Sequence, residues 1–151
     1  MKRSGRLSYH LCRILLGAFF LYAGFLKIED ASSFAGKVAA YEILPYQWNY
    51  VVAATLPWIE VACGVLLLVN RRVRPAALVV GTMNMVFIVA LVSVLLRGLD
   101  IDCGCFGPHL KSSPLQALLR NVLFLAMAHF VFHLRNKYSL EKTGDRRQKT
   151  E

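Results

Sequence analysis

Apolar positions gather into four blocks separated by short polar links. The blocks are Leu11–Ile28, Tyr50–Val69, Pro75–Leu96 and Leu115–Leu134. The third carries no charge; the second carries only Glu60 and the fourth only Arg120. A spanning helix needs about 20 apolar residues. Three blocks reach that length directly, and the first does so if Arg13 and Lys27 snorkel to opposite headgroup layers. The pattern predicts an all-α integral membrane protein, a four-helix antiparallel transmembrane bundle. One competing reading makes the first block a secretory signal, because Lys2, Arg3 and Arg6 precede it and Leu21-Tyr22-Ala23 loosely resembles a cleavage site.

The link Glu29–Asn49 holds a further periodic segment. Phe34, Val38 and Tyr41 recur at helical spacing. Asp30 or Ser32 can cap its start, and Leu44-Pro45 forbids its continuation. The expectation is a short amphipathic helix in the first outer loop, lying at the membrane interface beside an aromatic belt of Tyr46, Trp48 and Tyr50. It could act as a lid over the second outer loop; a simple re-entry loop is the alternative.

Composition agrees: 56% of the 151 residues are hydrophobic and mean hydropathy is +0.47, too apolar for an ordinary soluble domain. Basic residues set the expected orientation. Thirteen of the 18 Lys and Arg lie before Ile14, in the Arg71-Arg72-Val73-Arg74 link, or from Arg135 onward. The other two links hold Glu29, Asp30, Glu42, Asp100 and Asp102. The positive-inside bias therefore places both termini in the cytoplasm and both acidic links outside. The net charge of +9 is explained by this bias and by a basic tail over 139–151, expected to be disordered, after one membrane domain over 1–138. Lipid headgroups are its expected partner. No basic face interleaved with aromatics calls for nucleic acid.

Candidate chemistry lies in the second outer link, Asp100-Ile-Asp-Cys-Gly-Cys-Phe-Gly107. Cys103 and Cys105 flank Gly104, which can supply the backbone angles that so tight a disulfide requires. Strain in the bridge would make it easy to reduce, as catalytic disulfides are. The pair could instead be structural, pair with other chains, or bind a soft metal with Asp102 and His109, although a closed zinc site would need further ligands. Within the spans, Glu60 is costly unless paired or protonated. Arg120 is one candidate partner and Lys27 a second, either as a helix clamp or in proton handling. Pro57 should bend its helix and open a groove beside Glu60. Cys12 and Cys63 read as apolar fillers or as an inward electron relay. His129 and His133 share one helix face, and Asn84 is expected to bond across helices.

These residues also carry a resemblance. Ala23-Gly-Phe-Leu-Lys-Ile28 ends the first block, and Leu56-Pro-Trp-Ile-Glu60 lies in the second. Arg97-Gly98, Asp102-Cys-Gly-Cys-Phe-Gly107 and Arg120-Asn121 follow in order. The arrangement, over about residues 10–135, resembles the MauE branch of the DoxX-like membrane proteins. The resemblance implies a role in maturing a disulfide-rich enzyme, methylamine dehydrogenase, beside a thioredoxin-like periplasmic partner. Related DoxX-type proteins are linked to quinone-dependent sulfur oxidation. Cys103 and Cys105 match the family thiols; Lys27, Glu60 and Arg120 match its polar positions.

The function expected is thiol–disulfide exchange by Cys103 and Cys105, with Lys27 or Arg120 favouring a thiolate and Glu60 moving a proton. A membrane quinone is the candidate electron partner, in an apolar slot lined by Trp58 and the Pro57 bend. A non-catalytic assembly factor and a small metal or solute carrier are the alternatives.

Overall fold

The computed structural model describes residues 3–99 and 113–148, with backbone alone at 3–6, 46 and 136–148. Five helices follow one another: α1 (Arg3–Glu29), α2 (Ala31–Ala40), α3 (Tyr46–Leu68), α4 (Val73–Leu96) and α5 (Pro114–Gln148). Four of them contain segments long and apolar enough to cross a bilayer: Leu7–Glu29, Gln47–Leu68, Val73–Leu96 and Pro114–Arg135. Large apolar side chains such as Leu15, Phe25, Val86, Val89 and Leu119 stand exposed along them. Only a hydrocarbon solvent makes that distribution favourable. The chain is a multi-pass membrane protein, and the lipid bilayer is its surrounding phase. The α5 helix continues past position 139, where the sequence reading starts its tail.

The spans alternate in direction. Arg13, Gly17 and Gly24 of α1 meet Leu67, Gly64 and Pro57 of α3 in turn, so these two helices run antiparallel. Gly81 of α4 faces Leu125 and Ala128 of α5, while Leu91 and Val94 pack with Ala117, giving a second antiparallel pair. Aromatic contacts of Phe19 and Phe20 with Phe124, the former at 4.2 Å, join α1 to α5. The largest buried cluster, which includes Tyr9, Leu16, Leu67, Val80, Ala128 and Val131, holds all four spans at the end where α1 begins.

Helix ends are closed by local chemistry. Asn70, with φ 59°, follows α3; its N–H donates to Leu67 and that of Arg71 to Leu66. Gly98, with φ 66°, follows α4, with N–H bonds from Gly98 to Leu95 and from Leu99 to Val94. Both are Schellman terminations built on a left-handed residue. Asp30 caps α2 by accepting from the Ser33 N–H at 3.0 Å, and Ser32 donates to the same oxygen at 3.1 Å. Phe34 and Ala35 of α2 bury against Ala53, which fixes the amphipathic helix onto α3. Tyr46, Trp48 and Tyr50 fall in the first turns of α3; Trp48 and Tyr50 are exposed, as an interfacial belt requires.

Arg13 departs from expectation. It does not snorkel outward: it is buried, and its Nη1 donates to the Leu67 and Leu68 carbonyls at the C-terminus of α3. The negative end of the helix dipole and the carbonyl lone pairs at the last turn offer a nearer partner than the headgroups. Arg13→Gln should therefore lower unfolding free energy by about 2 kcal/mol, the scale of a hydrogen bond to a charged group. Denaturant titration in detergent would read the loss.

Candidate functional site: a buried ion pair at the helix junction

Lys27 and Glu60 meet at the centre of the site. Nζ of Lys27 lies 2.5 Å from Oε1 and 2.7 Å from Oε2 of Glu60, and both side chains are 4% exposed. Close approach of two helix backbones makes the pairing possible. A Cβ on Gly24 would stand 2.9 Å from the Pro57 carbonyl oxygen and 3.1 Å from the Glu60 Cβ. Lys27 follows Gly24 by three residues and Glu60 follows Pro57 by three. Side chains lean toward the N-terminus of their own helix. In antiparallel neighbours the two therefore lean toward each other.

Aromatic rings complete the enclosure. Nζ of Lys27 is 5.2 Å from the Phe34 ring centroid and 5.7 Å from that of Phe87, both within cation–π range. Lys27 thus links α1 to α2, α3 and α4. Beside the pair is a cavity of about 30 Å³, lined among others by Lys27, Glu60, Arg120, Asn84, Asn121 and Phe124. That volume holds one or two water molecules, and the lining offers enough polar groups to bind them.

Of the two candidate partners for Glu60, Lys27 forms the salt bridge, and Arg120 lines the same cavity. Lys27 does not snorkel, because the carboxylate and two ring faces hold it inside. Asn84 does not bond across helices: its Nδ2 donates to Val80 of its own helix at 2.9 Å, and Asn121 does the same with Ala117 at 2.8 Å. Pro57 is buried and α3 runs unbroken through it, while Trp58 is 63% exposed. The two cannot line one slot, since successive helix residues diverge by about 100°. His129 and His133 stack on one face of α5 with centroids 6.1 Å apart.

Asp102, Cys103, Gly104, Cys105 and His109 lie outside the described residues. The described helix ends on either side of them, the C-terminus of α4 and the N-terminus of α5, pack with Tyr41 just beyond α2. Cys12 and Cys63 are free thiols, Cys63 within the main core and Cys12 packed against it. Among the described residues no cluster of three or more His, Cys, Asp and Glu could hold a metal. Sequence reading missed Phe34 and Phe87 as site residues. Phe34 sat in the periodic helix, but nothing marked Phe87 within a continuous apolar run.

The fold and site define a small four-span membrane protein organised around a buried lysine–glutamate pair. The model for the family described as "Methylamine utilisation protein MauE" matches residues 6–134, and the chain belongs to that family. It is 39% identical over 119 residues to the methylamine utilization protein MauE of Paracoccus denitrificans, covering 77% of this chain and 63% of that protein. The MauE of Paracoccus versutus is 35% identical over 118 residues, with the same shares. Protein TlpB of Flavobacterium psychrophilum is 27% identical over 157 aligned positions, covering 95% of this chain and 40% of its own length. The chain thus spans less than two thirds of these relatives. No solved structure matches.

Proposed function

We propose that the protein is a thiol–disulfide redox protein of the bacterial inner membrane, both termini cytoplasmic, serving maturation of a disulfide-bearing periplasmic protein. The carrying observation is Cys103-Gly104-Cys105 inside the family-matched region. A thiolate of one partner attacks the disulfide of the other, giving a mixed disulfide that the second thiol resolves. Each exchange moves two electrons and two protons between the proteins. A membrane quinone, reduced to its hydroquinone, is the two-electron acceptor that suits repeated oxidation of a partner. Glu60 exchanges protons at the buried end of the site, with Lys27 and Arg120 setting the local charge and Asp102 flanking the thiols. The partner is a thioredoxin-like protein or the maturing enzyme itself, and the relatives' names support methylamine utilisation as the setting.

Trapping tests the reading. Cys103→Ser and Cys105→Ser should each accumulate a reducible mixed disulfide with a periplasmic protein in cells. The double variant should trap none and leave the partner's redox state shifted. If neither single variant traps anything and the double variant keeps full function, a non-catalytic assembly factor replaces this reading.

A further inference from the structure

An apolar groove of about 520 Å³ lies between α2, α3 and α4. Its size is typical of small-molecule sites, about 300–1,000 Å³. It exists because α3 packs mainly on α1 and α4 mainly on α5, so these consecutive spans diverge. Phe34 and Val38 of α2, Ile59 of α3 and Val86 of α4 form its walls. Tyr41, Ile43 and Leu44 line it too. Between them Glu42 takes a left-handed φ of 52°.

A charged pair stands at that segment. Arg97 follows the last residue of the span Val73–Leu96, which places it at headgroup depth. Its Nη2 donates to the Tyr41 carbonyl, its Nε donates to Ser93 at 3.4 Å, and its Nη1 lies 4.0 Å from Oε2 of Glu42. The Arg97 side chain is 37% exposed and that of Glu42 70%. A guanidinium carries five N–H donors, so donors remain for a ligand.

We propose that this groove binds one aminophospholipid of the phosphatidylethanolamine type, with an acyl chain in the slot, phosphate on Arg97 and ammonium at Glu42. Next to the lining residues Tyr41 and Ile43, one positive and one negative group complement a zwitterion better than a net-anionic headgroup. The ammonium can donate hydrogen bonds to the Glu42 carboxylate, which a quaternary choline cannot. A chain seated on Phe34 would press α2 against α3 and keep that ring over Lys27. The proposal stands apart from the thiol chemistry and needs no part of it.

Native mass spectrometry of the full chain, released from nanodiscs holding equal phosphatidylethanolamine, phosphatidylglycerol and phosphatidylcholine, tests it. One retained lipid is expected, phosphatidylethanolamine over either competitor by about five-fold, the ratio one rim-level charge contact gives. Arg97→Gln should reduce retention of all three. Glu42→Gln should erase the preference for ethanolamine over choline. Val86→Trp, at an exposed wall position, should empty the slot without disturbing the core. Equal retention of the three lipids, a lipid still held by Val86→Trp, or a quinone held in its place would overturn the proposal. Should Arg97→Gln not fold, the two surface variants still decide it.

Discussion

Glu60→Leu should lower the unfolding free energy by about 3–5 kcal/mol, the cost of stranding one member of a buried ion pair. Glu60 is 3% exposed and Lys27 4%. Loss of the carboxylate strands the Lys27 ammonium among Phe34 and Phe87, facing a cavity that Arg120 also lines. Ring faces offer on the order of 2 kcal/mol each to a desolvated cation, which does not replace a carboxylate touching it with both oxygens. The double variant Lys27→Met/Glu60→Leu removes both charges and fills similar volume, so it should recover most of the loss. Lys27→Met alone should cost less than Glu60→Leu, because the carboxylate then still faces a cavity with an arginine in its wall. Reversible unfolding of the three variants in one detergent, read as a double-mutant cycle, measures this. A double variant as unstable as Glu60→Leu would show that the pair is not the origin of the loss.

The spans were legible because each must hide its own backbone from lipid, which forces an apolar run of fixed length. The short helix α2 was legible from Phe34, Val38 and Tyr41 and from the Asp30 cap, which are local signals. What failed was depth. Counting residues along separate helices put Arg120 ahead of Lys27 as the partner of Glu60 and let Lys27 snorkel to the headgroups. The relative height of α1 and α3 is set elsewhere, where Gly24 lets the helix backbones meet beside Pro57. No periodicity within one helix encodes that registration. The Trp58 slot failed for a simpler reason: Pro57 and Glu60 both face inward, and Trp58, one 100° step beyond Pro57, faces outward at 63% exposure. The outer Cys-Gly-Cys motif remains a chemical reading of sequence, and its test is the trapping experiment.

Registration of α1 on α3 leads to the second large effect. A Cβ on Gly64 would stand 2.7 Å from the Leu21 amide nitrogen and 2.8 Å from the Gly17 carbonyl oxygen. Both obstacles are backbone, so no rotamer change relieves them; the helices must separate. Small residues at such crossings are how spans approach closely where lipid supplies no hydrophobic drive. Gly64→Ala should therefore cost about 1–3 kcal/mol through overpacking, after overcoming the ~1 kcal/mol that alanine gains in helix propensity. Gly36→Ala and Gly81→Ala provide the control. Nothing lies within 4 Å of a Cβ at Gly36, and at Gly81 the nearest atoms are side-chain carbons at 3.9 and 4.0 Å. Those two should be neutral or stabilising by up to about 1 kcal/mol. Wedging at Gly64 should also propagate to Gly24, so the Lys27–Glu60 coupling measured by the cycle above should shrink in a Gly64→Ala background. If Gly64→Ala matches Gly81→Ala in stability and leaves that coupling intact, the crossing is not what brings the ion pair into register.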